Sequence, residues 1–85
     1  MIKFKVQCKL SELHANFKNA LEVPPTSVKS LKLELSSGDE ISLLAIVKTI
    51  NLIKAELKTD ADFRFVNQSS PLKNGEISAN FTLLV

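Results

Sequence analysis

Tryptophan and tyrosine are missing from this chain, and cysteine, histidine and arginine occur once each, as Cys8, His14 and Arg64. A single cysteine excludes an internal disulfide framework, cannot be half of a Cys-x-x-Cys metal or redox site, and fits a reducing compartment. The two glycines, Gly38 and Gly75, stand alone, so no glycine-rich loop is available to cradle a phosphate. The longest uninterrupted apolar run is the five residues Leu43 to Val47. A bilayer span needs about 20, and the Met1 end alternates charged and apolar residues instead of reading as a targeting signal. A cytoplasmic protein with no membrane association is the expectation.

What is present is the balance of an ordinary folded domain: 85 residues, 45% hydrophobic and 24% charged. A folded chain of 9.4 kDa exposes roughly 5,000 Å², enough burial for one core and so for a single domain over residues 1–85. The net charge of +2, from eleven basic and nine acidic residues, does not by itself imply polyanion binding.

Ile2, Phe4, Val6, Cys8 and Leu10 alternate with Lys3, Lys5, Gln7 and Lys9, the period of a half-buried strand with a cationic outer face. Leu13, Phe17 and Leu21 follow at helical spacing between Ser11 and Pro24-Pro25, which predicts a short helix at about 11–22. An extended connection is the alternative there, because Asn16 and Asn19 are poor helix formers. Period two returns with Leu31, Leu33 and Leu35 against Ser30, Lys32 and Glu34. Ser37-Gly38-Asp39-Glu40 then reads as a capping box, with a hairpin turn as the weaker alternative.

The capping box opens a long amphipathic helix at about 39–58, whose Leu43, Ile46, Val47, Ile50, Ile53 and Leu57 fall within a sector of roughly 120° that should pack on a sheet. A second, partly apolar stripe, Leu44, Lys48, Asn51, Leu52 and Ala55, should be covered by the short helix or else by another chain. Phe63 and Phe65 alternate with Arg64 in a third strand ending near Asn67, and Pro71 and Asn74-Gly75 punctuate a turn. The last strand turns Ile77, Ala79, Phe81, Leu83 and Val85 inward and Ser78, Asn80, Thr82 and Leu84 outward. The fold class expected is two-layer α+β: a small, mostly antiparallel four-stranded sheet with both helices on one face and the other face open.

No catalytic kit emerges. Cys8 shares its strand face with apolar residues and should behave as a small buried hydrophobe with a raised pKa, and His14 reads as a surface or cap residue. Asp39-Glu40 and Asp60-x-Asp62 sit at helix ends where capping and solubility account for them. No enzyme activity, cofactor or metal is expected.

The outward strand phases nevertheless gather Lys3, Lys5, Lys9, Lys32 and Arg64 against one negative charge, Glu34. Such a face suits an acidic protein partner; it also suits simple protection of a small sheet against edge pairing. A nucleic-acid backbone is the alternative partner, weakened because the phenylalanines that would stack on bases all lie in inward phases or on a helix stripe. The functional expectation is a small non-catalytic accessory protein that binds a macromolecule. Phage and plasmid accessory proteins and inhibitors are frequently of this size. A homodimer through the second helix stripe, Leu44, Lys48, Asn51, Leu52 and Ala55, is the other expectation.

Overall fold

The computed structural model describes residues 1–38, 41–69 and 76–85. Strand β1 (Ile2–Lys9) runs into a 3-10 turn (Leu10–Glu12) and helix α1 (Leu13–Ala20). A second 3-10 turn (Pro25–Ser27) leads to strand β2 (Ser30–Ser37), helix α2 (Leu43–Glu56), strand β3 (Asp62–Ser69) and strand β4 (Glu76–Leu84). The sheet order is β1-β4-β2-β3. Strand β4 pairs antiparallel with both β1 and β2, whereas β2 and β3 are parallel neighbours.

The α+β class with four strands and two helices is as expected, but the sheet is mixed and not mostly antiparallel. The reason is α2: a 14-residue helix, about 21 Å long, carries the chain from the end of β2 back to the start of β3, and a return crossover of that length makes neighbours parallel. Strands β1, β2 and β3 therefore point one way and β4 alone points the other, wedged between β1 and β2.

Element boundaries depart from the sequence pattern where the sheet claims a residue first. Ser37, expected to cap the long helix, is the last residue of β2, paired with Ser69 and Ile77, and its hydroxyl donates to Asn67 Oδ1 at 3.3 Å. With Ser37 held there, α2 begins later than residue 39: Ser42 occupies the N-cap position, and the first helical bond runs from Ile46 N to Ser42 O at 3.1 Å. The Asp39-Glu40 half of the expected capping box lies outside the described residues. Leu10 leaves β1 for the 3-10 turn, which tightens the entry to α1. Helix α1 stops at Ala20, short of residue 22, and Leu21 turns extended ahead of Pro24-Pro25. The second turn is closed by Ser27 Oγ donating to Pro24 O at 2.7 Å.

Both helices lie on one face of the sheet. The core between the layers joins Leu13 and Phe17 of α1, Ile46, Ile50 and Ile53 of α2, Leu31, Leu33 and Leu35 of β2, and Ile77, Ala79, Phe81 and Leu83 of β4. Each large side chain buried this way stabilises the fold by about 1.5–3 kcal/mol. Burial follows strand position. Inner residues of the central strands β2 and β4 are sealed, whereas Ile2, Phe4, Val6 and Cys8 of β1 and Phe63 and Phe65 of β3 are only half-buried, because both are edge strands. Val85, expected inward, lies past the end of β4 and is exposed. Three rings bind the layers: Phe81 stacks on Phe4 with centroids 4.8 Å apart and meets Phe17 at 5.1 Å.

Candidate functional site

No described element covers the second face of the sheet, and the strand register converts its outward side chains into rows. Lys3, Thr82, Lys32 and Arg64 form one row across β1, β4, β2 and β3, and Lys5, Asn80, Glu34 and Val66 form the next. Gln7, Ser78, Ser36 and Gln68 make an uncharged third row, and beyond it Lys9 stands opposite Glu76. Successive rows are about 6.8 Å apart. Lys3, Lys32 and Arg64 are thus brought together and Lys5 lies one row on, while Lys9 sits roughly 20 Å along the strand from Lys3.

The electrostatics are more divided than the pattern of the sequence implied. Lys32 Nζ lies 3.7 Å from Glu34 Oε1, and Arg64 Nε lies 3.6 Å from Asp62 Oδ2, so the cations of β2 and β3 are answered within the face. Among the described residues no carboxylate comes within ion-pairing distance of Lys3, Lys5 or Lys9. The face therefore sets five cations against three carboxylates, not one, and its unanswered charge belongs to β1. Asp62 and Glu76 were the residues that sequence reasoning missed. Alternation carried one step further, from Arg64 back to Asp62 and from Ser78 back to Glu76, places them on this face; the neighbouring turn residues hide the signal.

Short side chains on β4 between long ones on β1 and β2 leave a trough. Lys3, Phe4, Lys5, Glu34, Asn80, Phe81 and Thr82 line a depression of about 390 Å³, with two lysines on one wall and a carboxylate on the other. All five phenylalanines belong to the core or pack against it, and none is exposed.

The second stripe of α2 is not covered by α1, as had been expected. Leu44 is 64% exposed and Leu52 53% exposed, and Lys48, Asn51 and Ala55 are exposed as well. Helix α1 instead touches α2 on a different flank, where Glu56 Oε1 accepts from the His14 imidazole at 3.2 Å and faces Lys18 Nζ at 3.9 Å. The stripe is also divided: Asn51 and Ala55 line a groove of about 320 Å³ together with Lys54, Leu57 and Phe63, on the β3 side of the helix. Leu43 and Val47, expected to pack on the sheet, are 65% and 43% exposed.

The enzyme candidates do not assemble. His14 turns toward Glu56, whereas Cys8 lies on the inner face of β1. Burial pushes the Cys8 thiol above its ordinary value, the side chain of Asn16 partly opposes this, and the negative charges of Glu12 and Glu76 add to it. Such a thiol stays protonated and unreactive. Asp60 is an exposed turn residue, and Asp62 is engaged with Arg64. Among the described residues no three His, Cys, Asp or Glu side chains converge as metal ligands, and no helix is long and apolar enough to cross a membrane.

The backbone path has a solved counterpart. The structure titled "FtsZ dimer, empty (M. jannaschii)" superposes with a TM-score of 0.79 over 95% of this chain, at 8% identity. This chain spans about a quarter of the length of that one, 25%. A likeness at so low an identity is one of fold. No family profile and no curated protein matches the sequence.

Proposed function

We propose that the domain is a non-catalytic interaction module that docks an acidic protein partner on the open face of its sheet, with the β1 lysines as the anchor. The observation that carries this reading is the trough over β4, walled by Lys3 and Lys5, neither of which has a described carboxylate in ion-pairing distance. Exposed cations that already hold a local partner contribute little to docking, which leaves the weight on β1. A nucleic-acid partner is the weaker reading, because base stacking has no exposed ring to use and the single arginine is already paired.

The test is a double charge reversal, Lys3→Glu with Lys5→Glu. Capture of a protein partner that weakens as NaCl rises from about 50 to 200 mM, and is lost in the double variant, supports the reading. Capture that survives both the salt and the double variant overturns it. Salt-dependent gel shifts with DNA or RNA, and no protein capture, favour the alternative.

A further inference from the structure

We infer that β3 is a self-pairing edge, through which two copies of this chain join their sheets about a two-fold axis. The first reason is the contrast between the two edge strands. Every antiparallel register of β1 against a copy of itself that keeps both outward faces on the same side, as the two-fold requires, and overlaps five residues or more sets a lysine directly opposite a lysine, since Lys3, Lys5 and Lys9 share its outward phase. Like charges in opposed positions destabilise a pair, and lysine is the usual guard of an edge. On β3 the only outward charges are Asp62 and Arg64. Only the register centred on Arg64 opposes like charges. Registers centred on Phe65 or Val66 overlap seven residues with none, and Arg64 then meets Val66 or Gln68 of the second copy.

The second reason lies on the helix. Asn51 and Lys54 line the groove that also holds Phe63, so that flank of α2 looks toward β3. Leu43 and Val47 continue the same flank at helical spacing and stay more than two-fifths exposed, at 65% and 43%. On β3 itself Phe63 and Phe65 are only half-buried, and Val66 is 41% exposed on the other face. Apolar side chains that the sequence pattern assigns to a core thus overhang an edge to which no described strand pairs. A second copy satisfies both the unpaired backbone edge and this overhang. Leu43, Val47, Phe63, Phe65 and Val66 are not among the residues that line the lysine trough.

The experiment is sedimentation over about 1 µM to 1 mM of the wild type, Val66→Lys, Lys5→Glu and Leu52→Asp. The wild type is expected to approach twice 9.4 kDa. In the register centred on Phe65, Val66→Lys sets a cation opposite Arg64 of the second copy, and in the one centred on Val66 it sets a cation opposite its own symmetry mate; either should raise the dissociation constant about tenfold. Lys5→Glu and Leu52→Asp should dimerise like the wild type. Hydrogen exchange on the wild type gives a readout free of any folding defect: β3 amides should become protected as concentration rises. A wild type that stays monomeric to 1 mM, or β3 amides indifferent to concentration, overturns the inference. So does a dimer broken by Leu52→Asp and untouched by Val66→Lys.

Discussion

Cys8 shows how position converts a reactive residue into an inert one. Its thiol sits on the inner face of β1 and is held above its ordinary pKa by burial. As pH rises through the ordinary thiol range, the unfolded chain gives up this proton while the folded chain keeps it, so folding stability falls there and is intact below. Urea midpoints measured against pH under reducing conditions should show that decline in the wild type and a shallower one in Cys8→Ala. An identical slope in both proteins would remove the thiol as its source. Phe17 and Leu52 form the opposite pair in packing. Phe17 is fully buried between Phe4 and Phe81, and Phe17→Ala should destabilise by about 3–5 kcal/mol, most of the stability of a domain this small. Leu52→Asp, at an exposed site, should stay within about 0.5 kcal/mol of the wild type in chemical denaturation.

Among the elements, strand phases were the most legible feature of the sequence, because alternation reports directly which side chains a sheet must bury. Leu31, Leu33 and Leu35, and likewise Ile77, Ala79, Phe81 and Leu83, all point where period two puts them. The apolar width of α2 was legible too, but not what covers it. A helical wheel cannot know that the sheet ends at β3, and Leu43 and Val47 stay exposed. The start of α2 was misjudged for a related reason: Ser37 has the chemistry of a cap, and only the register reveals that a strand has already engaged it. Parallel pairing of β2 and β3 likewise needs the path of α2, which no local pattern encodes. These differences predict a hierarchy of opening. Strand β4, bonded on both sides, should exchange its amides slowest, and the connection at residues 10–27 fastest, by native-state hydrogen exchange. Exchange in β4 as fast as in α1 would contradict it.

For the whole molecule, the net charge of +2 understates the surface. The candidate lysines were legible because strand phase assigns them to one face; their inequality was not, since it depends on Glu34 and Asp62 reaching across rows to Lys32 and Arg64. An off-centre positive wall of this kind acts mainly on encounter. Association with an acidic partner should slow several-fold between about 50 and 200 mM salt, with dissociation changed much less, in stopped-flow or surface-binding kinetics. Salt slowing both rates alike would point to a conformational effect instead.

Strand β4 sits between β1 and β2 and, among the described residues, is the only strand that β1 hydrogen-bonds. A nascent chain that has emerged as far as residue 69 holds β2, α2 and β3 as one possible unit and leaves β1 with no partner. Sheet completion therefore waits for residues 76–84 to thread into a slot whose two walls were synthesised long before. Pairings of that sequence separation close slowly. Until they close, the inner residues of β1 and β2 stand open, which makes the interval before β4 arrives the period when this small domain is most exposed to misassembly.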